Sequence, residues 1–175
     1  DEGINARRLA GVFKRLGSDD RVRAVVFRVD SPGGDGMASD VVAAALRACS
    51  KHKPVIVSQG QVAASGGYWI SMYADTIVAG PNTITGSIGV IGGWLYDMGL
   101  GDNLGLTSDH VQRGRHADLG FGITLPLLGI QIPARNFDAD ERIRMEEFIR
   151  RFYQGFVEKV ADGRGMTAGQ VDSIG

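Results

Sequence analysis

Apolar positions along the first two thirds of the chain alternate between the period of helices and the period of strands. The pattern predicts helices over residues 9–16, 38–49 and 65–74, with strands at residues 24–29, 55–58, 76–79, 88–91 and 106–112. Such alternation indicates an α/β fold of repeated βαβ units, in which helices cover a sheet of parallel strands.

The last third of the chain has a clearer helical signal. Residues 120–133 are apolar and marked by Gly and Pro without a clear period, which predicts an ordered loop or flap. Asp138 and Glu141 form a capping-box pattern that opens a long amphipathic helix with an apolar stripe over residues 145–160. Thr167 and Gln170 repeat that pattern before a short final helix.

Length and composition favour one globular domain over residues 1–175. With 43% apolar and 22% charged residues, the chain matches ordinary globular usage. The chain opens on charged residues without an apolar leader, and its final helix is cut short at Gly175. We therefore expect a domain that is truncated at both ends.

Charge and cysteine content remove several classes of function. The 19 basic and 20 acidic residues nearly cancel, so no strong field attracts nucleic acid. One cysteine excludes an internal disulfide, and three scattered histidines form no zinc pattern, so we expect neither a metal nor another cofactor. The long uncharged stretches at residues 55–74 and 76–96 contain polar residues and Gly pairs, which favours core over membrane.

Glycine is the unusual component, at 26 of 175 residues, or about twice the usual share. The glycines gather between apolar runs, at residues 33–36, 60–67 and 86–93. Ligands of open α/β sheets bind beyond the carboxyl ends of the strands. These three turns are therefore the candidate site.

Each turn has a functional and a plain interpretation. Gly33 and Gly34 fit an anion-binding turn of backbone N–H groups, or a simple turn that needs positive φ. Ser65 has small neighbours and fits an exposed nucleophile, or an ordinary helix N-cap. Ala63 stands where the G-x-S-x-G elbow has its first glycine. Ser87 fits a hydroxyl returned to the same sheet edge, or one that bonds local backbone.

A nucleophilic serine needs a base, and the histidines serve poorly. His52 lies at the sheet edge opposite the glycine turns, while His110 and His116 follow in or after a late strand. A pair of Ser65 with His116 is less favoured than an exposed or locally bonded histidine.

Three segments in register, at residues 30–34, 64–69 and 85–90, resemble the signal peptide peptidase SppA family. The resemblance extends over residues 6–175 and includes the Gly-Arg-Gly-Met run that begins at Gly163. It implies a ClpP/crotonase-like fold and a serine protease with a serine–lysine dyad. The expected substrates are leftover signal peptides, and the expected location is the bacterial cytoplasmic membrane, with the catalytic domain on its extracytoplasmic side.

The resemblance also implies roles for individual residues. Ser65 is similar to the nucleophile, and the N–H of Gly66, with that of Gly33 or Gly34, resembles the oxyanion hole. Ser87 matches the hydroxyl that helps to hold the lysine. The expected partners are peptides with an apolar core and further copies of the chain in a homo-oligomer.

The chain departs from the family at the base, because Ala117 stands where short-form members have the lysine. None of the four lysines, at positions 14, 51, 53 and 159, suits the site. We favour the serine-bearing half of a long-form member, whose lysine comes from another half or subunit. A short form with its lysine replaced, a non-catalytic half that binds peptide or builds an oligomer, and a crotonase-type acyl-CoA enzyme are the alternatives. The isolated chain should hydrolyse peptides weakly or not at all.

Residues 119–133 are more apolar than expected at this place in the sequence. We interpret them as an interface or as the wall of a groove. Such a groove would bind an apolar peptide as an extended strand.

Overall fold

The computed structural model describes residues 3–125 and 128–175. Its helices are α1 (Ala6–Ser18), α2 (Gly36–Ser50), α3 (Gly66–Trp69), α4 (Leu100–Asn103), α5 (Ala139–Arg164) and α6 (Ala168–Asp172). Its strands are β1 (Val25–Ser31), β2 (Val55–Ala64), β3 (Thr76–Val78), β4 (Ile84–Gly86), β5 (Gly122–Leu125) and β6 (Ile130–Pro133). No helix among the described residues is both long and apolar enough to cross a membrane.

The chain divides into two compact units. The first contains the residues up to Val90 together with Phe152–Gly175, and the second is Ile91–Arg151. Helix α5 contributes its first half to the second unit and its second half to the first. The expectation of a single domain over residues 1–175 stays a prediction.

The sheet of the first unit is built around β2, which pairs in parallel with β1, β3 and β4. Val25 pairs with Val55 at the start of β1, and Ala64 pairs with Gly86 at the end of β2. The carboxyl ends of β2 and β4 therefore lie side by side, next to the end of β1. The predicted α/β class, with parallel strands joined through helices, is confirmed.

Two apolar clusters stabilise the first unit. In one, α1 and α2 contribute side chains that pack with one face of the sheet, and Phe13, Leu46 and Val57 are almost fully buried. In the other, the second half of α5 packs its Phe156 and Val160 with Trp69 from α3. The second cluster ties the short helix α3 to the long helix α5.

Side-chain caps fix where the helices begin, as the sequence predicts. Asp138 accepts a hydrogen bond from the backbone N–H of Glu141, whose carboxylate accepts one from the N–H of Asp138, both at 2.8 Å. Thr167 and Gln170 form the same reciprocal arrangement at α6. Both predicted capping boxes are confirmed.

Four local predictions differ from the structure. The third helix ends at Trp69 instead of residue 74, and the late strand of the first unit is Ile84–Gly86 instead of residues 88–91. Residues 106–112 are irregular, with Val111 fully exposed, because no described segment pairs with them.

The fourth difference concerns the predicted flap. Residues 120–133 contain the antiparallel hairpin of β5 and β6, in which Ile123 pairs with Ile132. The two side chains of this pair are buried, which gives the hairpin an apolar face. Pro126 and Leu127 lie outside the described residues.

Candidate active site

Ser65 occupies the junction between β2 and α3. It turns the chain with φ 51° and ψ −118° between Ala64, the last residue of the strand, and Gly66, the first residue of the helix. A positive φ costs a non-glycine residue about 1–3 kcal/mol, so the surrounding packing must enforce it. A strained strand-to-helix turn of this kind also presents the nucleophile of α/β-hydrolases.

The hydroxyl of Ser65 is not engaged. Ser65 stands at the N-cap of α3, yet its side chain makes no capping hydrogen bond, and none links it to another described residue. The side chain is half-buried, so one side of it remains accessible. The plain interpretation of this serine as a capping residue is therefore not supported.

Close backbone contacts hold the turn after β1 against this junction. A Cβ atom on Gly33 would lie 2.8 Å from the nitrogen of Gly66 and 2.9 Å from Cβ of Ser65. A Cβ atom on Gly67 would lie 2.4 Å from the carbonyl oxygen of Ser31. These distances are too short for any side chain, which explains why glycine occupies both positions.

Two backbone N–H groups near Ser65 remain available. The N–H of Gly33 donates to Oγ of Ser31 at 3.2 Å, whereas that of Gly34 donates to no described acceptor. The N–H of Gly66 lies at the first position of a helix, where no intrahelical acceptor exists. A Cβ atom on Gly66 would lie 3.1 Å from the nitrogen of Gly34, so these two residues are neighbours. Between the two glycines of the first turn, the hydrogen bonding favours Gly34 as a donor to a ligand.

A cavity of about 590 Å³ opens beside these amides. Its walls are mostly apolar, and Val42 and Ile70 contribute buried side chains to it. Asp30, Asp35 and Ser39 add polar groups, of which Asp35 caps α2 by accepting from the N–H of Ala38 at 2.7 Å. The cavity can receive an apolar side chain whose backbone lies along the glycine turns.

The third glycine-rich turn, which begins at Gly86, follows β4 and lies at the same edge of the sheet as Ser65. The backbone N–H of Ser65 donates to the carbonyl of Gly86 at 2.8 Å, and Oγ1 of Thr85 donates to the carbonyl of Ala63 at 3.1 Å. Ser87 follows with φ 48°, an exposed side chain and no hydrogen bond to another described residue. The structure therefore brings Ser87 to the edge that carries Ser65 and leaves its hydroxyl unpaired.

The lysines of this chain lie away from the Ser65 hydroxyl or are engaged. Lys51 and Lys53 precede β2, whose ten residues separate them from Ser65 by about 30 Å of extended strand. Lys14 lies on α1, and Lys159 on α5 is paired with Asp40. Residue 117, the position of the short-form lysine, is an exposed alanine of the second unit.

His116, which the sequence does not favour as the base for Ser65, takes part in an ion network of the second unit. Its Nδ1 shares a hydrogen bond with the buried carboxylate of Glu141 at 2.9 Å. Arg135 donates to both oxygens of Glu141, at 2.7 and 2.8 Å, and also binds Asp118. These bonds from Arg135 hold the pKa of Glu141 well below its usual range and also lower the pKa of Asp118.

Carboxylate and imidazole groups of this network also approach the geometry of a metal site. His116, Asp138 and Glu141 bring possible ligand atoms within 4.8 Å of one another. The Arg135 guanidinium already donates to both oxygens of Glu141, so this carboxylate is neutralised by an arginine and is not left for a metal ion. The residues fit an ion-pair network and do not fit a metal centre.

The sequence did not predict the contacts that join α3 to α2 and α5. Trp69 and Lys159 both bind Asp40, across 29 and 119 residues of sequence, respectively. No local pattern predicts partners so far apart. The alternation of apolar residues placed all three on helices but gave no signal that they meet.

Several known proteins resemble this chain in sequence. The model of Peptidase family S49 matches residues 47–175. Protease 4 of Salmonella typhi is 40% identical over 157 residues, which are 89% of this chain and 24% of that protein. A putative signal peptide peptidase SppA of Enterococcus faecium is 32% identical over 99% of this chain and 47% of its own length. The chain thus spans a quarter to a half of these relatives.

Similarity to a solved structure was also found. A ClpP1 mutant from Listeria monocytogenes aligns with a TM-score of 0.47 and 16% identity, over 97% of this chain and 72% of that one.

Proposed function

Given that this chain belongs to peptidase family S49, we propose that it provides the nucleophile and the oxyanion hole of a serine endopeptidase that degrades cleaved signal peptides. Its lysine base comes from another half or subunit. One observation carries the proposal: Ser65, whose hydroxyl bonds no described residue, stands at the strand-to-helix junction against which the Gly33–Gly34 turn packs, next to Gly66.

Ser65 attacks the scissile carbonyl in this scheme. The new bond between Oγ and the carbonyl carbon moves an electron pair onto the carbonyl oxygen, and the base accepts the hydroxyl proton. The strained turn and the small neighbours of Ser65 support this role, because both let a peptide backbone approach the hydroxyl. The base then returns the proton to the leaving amine, and water hydrolyses the acyl-enzyme.

The N–H groups of Gly66 and Gly34 stabilise the developing oxyanion. A fixed pair of amides needs no rearrangement as the charge forms, and loss of one such donor typically costs about 10²–10³ in kcat. Gly33 then has a different task. Its contact with Gly66 and Ser65 fixes where Gly34 lies, and its own N–H binds Ser31.

The proton acceptor is a lysine from outside these 175 residues. A lysine that acts as a base must be neutral, so its pKa has to fall by about three units, which corresponds to roughly 4 kcal/mol of desolvation and positioning. The free hydroxyl of Ser87, on the same sheet edge, supports a role in holding that amine. The relative at 40% identity is about four times as long as the matched segment, so a longer protein has room for a second half.

The substrate is a peptide with an apolar core. The cavity next to Gly34 and Gly66 offers apolar walls for side chains near the scissile bond, and its volume of about 590 Å³ leaves room for more than one residue of a peptide. Signal peptides carry such apolar residues, and we propose that the reaction takes place at the extracytoplasmic side of the bacterial cytoplasmic membrane. We also propose that the active form is a homo-oligomer.

Two alternatives follow from the missing lysine. In a short-form protein, Ala117 replaces the base. In a non-catalytic half, the Ser65 region binds peptide without cleaving it or supports assembly. An acyl-CoA enzyme is a third alternative, which binding of a CoA ester and indifference to serine-directed acylating reagents would favour.

Cleavage of a fluorogenic peptide with a leucine-rich core separates these functions. The full-length gene product should cleave it, Ser65→Ala should abolish cleavage, and the isolated chain should be at least about a hundred times slower. Adding the separately expressed remainder of the gene product should restore activity. Robust cleavage by the isolated chain would contradict the external base, and activity gained through Ala117→Lys would favour the short form. Undiminished cleavage by Ser65→Ala would refute the proposed nucleophile.

A further inference from the structure

Helix α3 carries the proposed oxyanion donor, yet it has only four residues. An isolated helix of one turn is unstable, because nucleation costs more than a single turn of hydrogen bonds returns. Contacts with neighbouring elements must therefore fix its position. The side chain of Trp69, the last residue of α3, is buried among such neighbours.

Trp69 is enclosed by residues from α2 and α5. Its indole is 4% exposed and stacks on Phe156 with the ring centroids 4.2 Å apart, while Phe152 packs beside it at 5.4 Å. Its Nε1–H donates to Oδ1 of Asp40 on α2 at 3.1 Å. The stacking fixes the plane of the ring, and the hydrogen bond fixes its rotation within that plane.

Asp40 is itself held in place by a lysine. The Nζ group of Lys159 on α5 binds the same oxygen of Asp40, and it also lies 5.5 Å from the centroid of the Trp69 ring. The Asp40 and Lys159 side chains are only 36% and 38% exposed, respectively, so the pair is partly shielded from water. One carboxylate thus connects α2, α3 and α5.

The connection reaches the proposed nucleophile through the backbone. The N–H of Trp69 donates to the carbonyl of Ser65 at 2.8 Å, and the N–H of Ile70 donates to the carbonyl of Gly66 at 3.1 Å. A movement of the indole would therefore move the residues that carry the hydroxyl and the amide. Helices α2 and α5 also pack closely against each other beside Trp69, because the Phe152 ring of α5 lies where a side chain on Gly36 of α2 would stand.

We propose that Asp40, held by Lys159, is a positioning residue that orients α3 through Trp69 and thereby aligns Ser65 with the Gly34 and Gly66 amides. This inference rests on the proposed function for its catalytic consequence and on the contacts alone for its structural part. In this arrangement Lys159 holds Asp40 in place and does not act as the base for Ser65. A displacement of about 1 Å at reacting groups can cost on the order of a hundredfold in rate.

The chain offers a matched control for Asp40. Arg47 on α2 and Asp162 on α5 form a second ion pair at 2.7 Å between the same two helices, without a bond to α3. Asp162→Ala removes an inter-helix ion pair of the same type. Asp40→Asn keeps an oxygen acceptor for the indole but removes the charge that pairs with Lys159.

Hydrogen exchange in this chain tests the positioning step directly. We expect Asp40→Ala to speed exchange of the Trp69 and Ile70 amides at least about tenfold. Asp40→Asn should have a smaller effect, and Asp162→Ala should leave these amides unchanged. Unchanged exchange in Asp40→Ala would overturn the inference, whatever the protein catalyses. Equal acceleration in Asp162→Ala would do the same, because it would show general loosening of the helices.

Kinetics of the full-length gene product test the catalytic consequence. Asp40→Ala should lower kcat about 10- to 100-fold with KM within about threefold, while Asp162→Ala retains wild-type kcat. Lys159→Arg should retain most of the activity that Lys159→Met loses. Unchanged kcat in Asp40→Ala would overturn the catalytic part. If Ser65→Ala still cleaved peptide while exchange responded as expected, the positioning would stand and the proposed function would fail.

Discussion

The backbone N–H of Ser65 donates a hydrogen bond to the carbonyl of Gly86, at 2.8 Å. This bond joins the turn after β2 to the turn after β4. The donor of this bond, Ser65, and the residue after its acceptor, Ser87, are the two non-glycine residues with positive φ in the described part of the chain. Two strained serines, whose hydroxyls bond none of the described residues, therefore stand at adjacent ends of parallel strands.

The hydroxyl of Ser87 should matter less than that of Ser65. In the full-length gene product, Ser87→Ala should lower kcat about 10- to 100-fold with little change in KM, because a loosely held lysine accepts the proton less efficiently. Steady-state kinetics with the leucine-rich peptide give both constants. Wild-type kcat in Ser87→Ala would show that this hydroxyl does not hold the base.

Gly67→Ala should destabilise the first unit by about 1–3 kcal/mol, because the added methyl group would overlap the carbonyl of Ser31. Gly89→Ala is the matched control, since a Cβ atom there has no neighbour within 4 Å. It should stay within about 0.5 kcal/mol of the wild type. Urea unfolding of both variants measures the difference, and equal stabilities would contradict the close approach at Gly67.

Glu141 should make the second unit sensitive to acid. Bonds from Arg135 depress its pKa in the folded state, so its contribution to stability is complete above its ordinary pKa near 4.5. That contribution is lost as the pH falls below this value toward the lower folded pKa. The melting temperature should therefore drop between about pH 5 and pH 3.

Glu141→Gln provides the comparison for this pH dependence. This variant should melt at a lower temperature at neutral pH. Its melting temperature should also change less over the same acid range, because glutamine has no carboxylate to protonate. A variant with the wild-type slope over that range would show that Glu141 does not cause the acid sensitivity.

Cys49 should be unreactive in the folded protein. Its side chain lies in the apolar cluster at 2% exposure, and desolvation raises the pKa of the thiol, so little thiolate forms at about pH 8. A thiol-specific disulfide reagent should label it only after unfolding in guanidinium chloride. Rapid labelling of the native chain would contradict the packing of α1 against α2 at this residue.

The spacing of apolar residues along the sequence predicted the helices and strands that bury one continuous apolar face. The helix around Phe13, the strand around Val57 and the long helix through Phe156 all follow from local apolar spacing, and each contributes to a core cluster. Both capping boxes were also predictable, because their partners lie three residues apart.

The remaining features depend on contacts that have no local pattern. The hairpin at residues 122–133 is stabilised by pairing between its two strands, and the apolar composition alone did not distinguish it from a loop. Likewise, the choice of Gly34 over Gly33 depends on a bond from Gly33 to Ser31. The trio of Asp40, Trp69 and Lys159 comes from three helices, so only the folded chain brings them together.

The most direct test of the account is the site of covalent labelling by a fluorophosphonate, which reacts with activated serines. The full-length gene product should carry the adduct on Ser65, as mapped by mass spectrometry of its peptides, and the isolated chain should react far more slowly without the lysine. An adduct on a different residue, in a preparation that cleaves the leucine-rich peptide, would contradict the assignment of Ser65 as the nucleophile.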